Sequence, residues 1–268
     1  MGILIIRLLT IINTQPLDST LYHIASIFLQ HYDLIELYSI GEMADLAKVS
    51  KSTLSKFARQ IGFDDYLHLK DNAGFITDRY NNHYNYLTNI VQELDQHNYM
   101  DYFQTIKQSI DLLQDTIDII AIDRLADDLI AYNKVGVFGL IFSESASIDF
   151  QYKLAYNRKF VFTFQDLDKQ EAFIRQANED TLIIVFSNSG NFVRHQQVTE
   201  GKPTKNFFSK MKAKLFVITS DPTVLDLPHV DDAIIYPTSK GIQTHFILYQ
   251  IIMDLIISRY RIKLMKTK

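Results

Sequence analysis

The apolar residues of this chain change their spacing once. Up to about residue 130 they recur at helical intervals, with few glycines and one proline. From Lys134 onward, short apolar runs alternate with helical segments. A 3.6-residue period marks amphipathic helices, whereas short runs rich in β-branched and aromatic residues mark buried strands. The runs are residues 135–139, 160–164, 182–186, 215–219 and 233–236. Between the first four lie stretches long enough for crossover helices, the pattern of a parallel sheet covered on both faces. The expected architecture is therefore an all-α domain followed by a doubly wound α/β domain with a parallel five-stranded sheet. Residues 242–260 read as a long apolar helix that packs on the sheet or on a partner subunit.

Composition narrows the function classes. The chain has 268 residues, 47% of them apolar, enough for a buried core and unlike a disordered chain. It has no cysteine, so disulfides and thiolate metal sites are excluded, which fits a reducing cytoplasm. The apolar run of residues 3–12 is too short to span a bilayer and carries Arg7, so a first core helix is expected rather than a signal peptide. The eight histidines are scattered without metal-ligand spacing, and no metal or cofactor is expected. Net charge is −4, so any contact with nucleic acid must come from local charge.

Local charge concentrates at residues 39–66. Ser39-x-x-Glu42 is a capping box, in which each side chain satisfies an open backbone N–H at a helix start. Ile40, Met43, Ala44 and Ala47 then fall on one face of a short helix. Lys48 and Val49 form a break, and Ser50 is a good N-cap for a second helix whose Leu54, Phe57, Ala58 and Ile61 share a face. Gly62 stands where a helix end favours positive φ. The pattern is that of a helix-turn-helix. Lys51, Ser52, Ser55, Lys56 and Arg59 are left outward, and residues 46–63 contain no acidic side chain. Such a helix fits the major groove, with Lys51, Ser52 and Ser55 near base edges and Lys56 and Arg59 on phosphates. By itself the pattern equally suits a helical hairpin with a solvated charged face.

The stretch from Glu42 to Tyr66 resembles the N-terminal domain of RpiR-type transcriptional regulators. Val49-Ser50, Thr53, Phe57 and Ile61-Gly62-Phe63 keep that family's register. Lys56 stands where the family usually has Arg, Ile61 where it usually has Leu, and Lys48 at a turn position often held by Gly. The resemblance implies a double-stranded DNA operator as partner.

Two strand ends in the second half carry a further pattern. Ligands of open α/β sheets bind beyond the carboxyl ends of the strands. Gly139 lets the chain turn after the first strand, and Ser143 sits near a helix N-terminus suited to an anion. Ser187, Ser189 and Gly190 after the third run could cradle a phosphate with hydroxyls and backbone N–H groups, or the serines could serve as plain helix caps. These residues resemble the SIS (sugar-isomerase) domain, a flavodoxin-like fold, whose patterns Gly-x-Gly-x-Ser and Ser-x-Ser-Gly-x-Thr they match. Ile141 and Phe192 depart from it and put bulk where a sugar phosphate would approach.

Together the resemblances imply a cytoplasmic regulator of carbohydrate metabolism that responds to a phosphosugar and acts as a homodimer or homotetramer. Expected boundaries are 1–75 for the DNA-binding domain, 76–115 for a helical connector and 116–268 for the SIS-like domain. The alternatives are a phosphosugar isomerase and a SIS-like module with a degenerate pocket. No catalytic residue is assigned: Glu144 reads as a helix-dipole partner, and His195, His229 and His245 as surface or packing residues. Five lysines without an acid in residues 202–214 receive no role.

Overall fold

The computed structural model describes residues 3–73, 94, 99–140, 142–194, 207–238 and 245–266. Ile141, His195, Lys202, Lys205, residues 242–244 and most of 75–98 lie outside these. The chain divides into two compact units, Met1–Asn85 and Tyr86–Lys268.

The first unit contains α1 (Ile3–Thr14), α2 (Thr20–Gln30), α3 (Ile40–Leu46), α4 (Lys51–Gln60) and α5 (Tyr66–Asp71). Leu4 and Leu8 of α1, Phe28 of α2, Met43 of α3, Leu54 and Phe57 of α4 and Leu69 of α5 are buried. The rings of Phe28 and Phe57 lie 5.5 Å apart, and His23 Nε2 lies 2.8 Å from the carbonyl of Ala47, tying α2 to the end of α3.

The helix ends follow local chemistry. Ser39 and Glu42 form the capping box at α3, and Ser50 caps α4 by accepting from Thr53 N at 3.1 Å. Between the two helices Lys48 adopts φ +53°, with Val49 N–H on Ala44 O at 2.9 Å and Lys48 N–H on Asp45 O at 3.1 Å. This doubly bonded helix end needs a left-handed residue, which glycine supplies at least cost. The end of α4 repeats the arrangement around Gly62, at φ +84°. Arg7, anomalous in an apolar run, donates to the Ile61 carbonyl, its guanidinium 4.9 Å from the Phe63 ring centroid. A Cβ on Gly62 would lie 2.3 Å from that guanidinium.

The second unit runs α6 (Tyr99–Thr116), α7 (Ile119–Ala131), β1 (Lys134–Gly139), α8 (Phe142–Tyr156), α9 (Leu167–Gln176), β2 (Thr181–Phe186), α10 (Asn191–Arg194), β3 (Lys214–Thr219), β4 (Asp232–Ile235) and α11 (His245–Lys266). The sheet is parallel, in the order β1-β2-β3-β4. Both faces are covered, as the near-continuous apolar strands require. Val137, Ile184, Phe216 and Ile234 meet α7, α8 and α11 on one side. Ile183, Val185 and Leu215 meet Ile174 of α9 together with Phe192 and Phe208 on the other.

The expected fifth strand is a correction: the described sheet has four. Residues 160–164 contribute one bridge to the β1 edge, where Phe162 N donates to Val135 O and Val137 N to Phe162 O, both at 2.8 Å. The ladder stops because Gln170 Nε2 takes the Phe164 carbonyl at 2.6 Å. In a parallel ladder that carbonyl would accept from the N–H of Gly139, two residues beyond Val137. The winding stays double: α8 leads to this edge along one face, and α9 returns to β2 along the other. Among the described residues, no helix is long and apolar enough to cross a membrane.

Replacing Lys48 by Gly removes the left-handed strain of a side-chain-bearing residue. The Lys48→Gly protein should gain about 0.5–1 kcal/mol of stability, measured as a higher denaturation midpoint. An unchanged or lower midpoint would contradict the strained turn.

Candidate nucleic-acid interface and effector crevice

The rotation of α4 is set by its apolar side. Leu54, Phe57 and Ala58 are buried, so the opposite side must face solvent. Lys51, Ser52, Lys56 and Arg59 are exposed and Ser55 is half-buried. Ser52, Ser55, Lys56 and Arg59 follow the three- and four-residue spacing of one helix face. Lys51 lies at the helix start, its stem so close to α3 that a Cβ on Gly41 would sit 3.0 Å from Lys51 Cε. Among the described residues, none of Lys51, Lys56 and Arg59 is ion-paired. Three free cations and two hydroxyls on one rigid helix suit a polyanion with hydrogen-bonding edges. At the neighbouring helix start, two hydrogen bonds from Ser39 hold the Glu42 carboxyl below its usual range, keeping it charged.

The second site lies at the carboxyl edge of the sheet. Gly139 and Phe186 are register partners, so β1 and β2 end side by side. The chain leaves β1 along one face and β2 along the other, which opens a crevice between the two ends. Gly139 is required by close approach: a Cβ there would lie 2.4 Å from the Ser143 carbonyl oxygen. Ser143 is buried at the first turn of α8, its Oγ 3.4 Å from Tyr249 Oη. Ser187 is buried and accepts from Phe192 N at 3.4 Å, while the Ser189 hydroxyl accepts from Asn191 N at 3.4 Å. Gly190 has φ +69° and packs against Val224 and Asp221. The five expected residues thus share one sheet edge, with two serine hydroxyls on long bonds within their own turn.

Phe192 does not fill the crevice. Its ring packs into the core against Phe208 at 5.5 Å, edge to face, because the α9 side of the sheet has a hydrophobic layer to receive it. Arg194 pairs with Asp221 at 2.8 Å, and hydrogen bonds from Thr223 and Arg194 hold that carboxyl low despite its partial burial. Glu144 is raised above the usual carboxylate range by burial, opposed by a hydrogen bond from Gln165. His229 Nε2 lies 3.0 Å from the Val193 carbonyl, a packing role. Among the described residues, no cluster of histidine and carboxylate side chains could hold a metal ion.

Tyr236 and Tyr249, around the crevice, carry no signal in the sequence, and His245 reads there only as a surface or packing residue. Tyr236 donates to Asn188 Oδ1 at 2.6 Å, and its hydroxyl lies 3.2 Å from that of Tyr249. His245, at the start of α11, is 5% exposed, and its Nδ1 is buried without a hydrogen-bond partner. Burial pushes its imidazole down to about 4. These residues reach the site from elements remote in sequence, so no local spacing announces them.

Residues 8–72 match the family model described as the helix-turn-helix domain of the rpiR family. An uncharacterized HTH-type transcriptional regulator from the aarA 3′ region of Providencia stuartii is 23% identical over 253 residues, covering 88% of this chain and 84% of that protein. The HTH-type transcriptional regulator HexR of Pseudomonas aeruginosa is 27% identical over 176 residues, covering 62% of this chain and 58% of its own length. Among solved structures, the Vibrio vulnificus NanR protein complexed with ManNAc-6P aligns with a TM-score of 0.48 at 15% identity, over 96% of this chain and 90% of that one. The sugar isomerase domain of the RpiR transcription factor from Sphaerobacter thermophilus aligns with a TM-score of 0.45 at 11% identity, over 64% of this chain and 92% of that one.

Two outcomes follow from the crevice. Gly139→Ala should lose about 1–3 kcal/mol of stability, because the added methyl meets backbone rather than a flexible side chain; calorimetry reads it. His245 titrates near 4 when folded and near 6.5 when unfolded. The unfolded chain therefore takes the proton first, so stability is lost as pH falls from about 6.5 to about 4 and levels off below. His245→Phe should flatten that part of the stability–pH profile; an unchanged profile would contradict the buried neutral imidazole.

Proposed function

We propose, on the premise that residues 8–72 are a helix-turn-helix domain of the rpiR family, that this protein is a DNA-binding transcription regulator. Its α/β unit takes a phosphorylated sugar as effector. The observation that carries the reading is the acid-free, unpaired cationic side of α4 opposite a fully buried apolar side. Ser52 and Ser55 read base edges, with Lys51 beside them at the helix start, and Lys56 and Arg59 hold phosphates. Regulators of this kind act as symmetric pairs, so two α4 helices meet half-sites roughly 34 Å apart, one turn of the duplex.

The effector reading rests on the loops after β1 and β2. Ser143, Ser187, Ser189 and the backbone around Gly139 and Gly190 supply hydroxyls and N–H groups at the switch point of a doubly wound sheet. These groups are the complement of a phosphate. Effector binding acts by shifting the population of DNA-competent molecules, through unequal affinity for the two states.

In this reading the chain does not turn over its effector. Isomerisation needs a base poised beside the substrate carbon. Glu144 is occupied by Gln165 at the first turn of α8, His229 by the Val193 carbonyl, and the His245 ring is buried against Phe246 and Tyr249. A sugar phosphate that binds and returns unchanged fits the regulator; turnover by a protein without DNA affinity would replace it with the isomerase.

Binding to the DNA upstream of the protein's own gene tests the first part. The affinity should fall steeply with salt, and Lys56→Ala should lower the slope of log K against log salt by about 1. Ser55→Ala should leave the slope unchanged and relax sequence preference, by about 1–3 kcal/mol at one base pair. Equal salt slopes for wild type and Lys56→Ala would remove that residue from the interface. Thermal shifts across a panel of sugar phosphates test the second part.

A further inference from the structure

We propose that the buried hydroxyl pair of Tyr236 and Tyr249 is a clamp that fixes the two effector loops relative to each other. The clamp would set how strongly the crevice holds its anion. Ser143 lies on the first turn of α8, directly after the β1 turn, and Asn188 in the loop after β2. A chain of polar contacts joins them through residues from the C-terminal part of the chain: Ser143 Oγ to Tyr249 Oη at 3.4 Å, Tyr249 Oη to Tyr236 Oη at 3.2 Å, and Tyr236 Oη to Asn188 Oδ1 at 2.6 Å. Tyr236 follows β4 and Tyr249 sits on the first turns of α11, so the last strand and last helix reach back to brace both loops.

Packing alone does not call for these hydroxyls. Tyr249 is 0% exposed and Tyr236 1% exposed, and both rings contribute to the core beside Phe186. Phenylalanine would fill the same space without bringing a polar atom out of water. Burial pushes the Tyr249 hydroxyl up to about 12, so it remains neutral and able both to donate and to accept. The loop after β2 is held from its other side too, with Thr219 Oγ1 at 3.1 Å and Ser220 Oγ at 2.7 Å donating to the Asn188 carbonyl. Asn188 is thus gripped by backbone and side chain at once. Tyr236 and Tyr249 are positioning residues, acting through Asn188 and Ser143.

The test has two arms on the full-length protein, and only the second rests on the effector reading. In the first, amide exchange is followed without any ligand in wild type, Tyr249→Phe and Tyr236→Phe. Peptides covering 142–147 and 187–192 should exchange about fivefold faster in the variants, the factor one neutral hydrogen bond is worth. Peptides of α4 should be unchanged. Loop exchange equal to wild type in both variants would overturn the clamp. In the second arm, calorimetry with sugar 6-phosphates and inorganic phosphate should show affinity about fivefold weaker in each variant. Equal affinity in wild type and variants would also overturn it. Faster loop exchange with no phosphate or sugar phosphate bound by wild type would uphold the clamp and remove the effector reading instead.

Discussion

Burial of one side of α4 is the constraint on which the account depends. Leu54, Phe57 and Ala58 have no exposed surface to speak of, and a helix with three such positions has a single rotation available to it. That rotation aims Ser52, Ser55, Lys56 and Arg59 outward together. The ends of the helix are pinned as firmly as its face. Ser50 caps the start, and at the far end Gly62 turns the chain while Arg7 holds the last carbonyl. A helix fixed in rotation and at both termini presents its polar side without the entropy cost of ordering it on contact.

The two units share a logic. In each, an apolar layer fixes backbone geometry, and a left-handed or side-chain-free position lets the chain bring polar groups to an edge. Lys48 and Gly62 bracket α4; Gly139 and Gly190 bring the loops after β1 and β2 to the crevice. In the first unit the groups left over are cations, and in the second they are hydroxyls and N–H groups. A polyanion suits the first set and a single phosphate the second.

Much of this was legible from local sequence because it is set by local physics. The capping box at Ser39 and Glu42, the N-cap at Ser50 and the positive φ of Gly62 all follow from residues within a few positions. So do the four parallel strands, each a short apolar run. Residues 160–164 have the composition of a strand, but Gln170, on the following helix, competes for the Phe164 carbonyl, and run composition carries no trace of that rivalry. The direction of Phe192 escapes local sequence for a related reason: it is decided by Phe208 on a distant segment. Tyr236, Asn188 and Tyr249 meet only because β2, β4 and α11 converge at one edge of the sheet. Arg7 was visible as a charge in an apolar run, yet its partner lies 54 residues on.

The most direct measurement of the central claim is the acetylation rate of individual lysines with and without DNA from upstream of the gene, resolved by mass spectrometry. Bound duplex should slow the reaction of Lys51 and Lys56 at least about tenfold, the mark of cations seated on phosphates and base edges. Lys134 and Lys153, in the α/β unit, should react as before. Full protein–DNA complex formation with Lys51 and Lys56 still reacting at their free rates would contradict it.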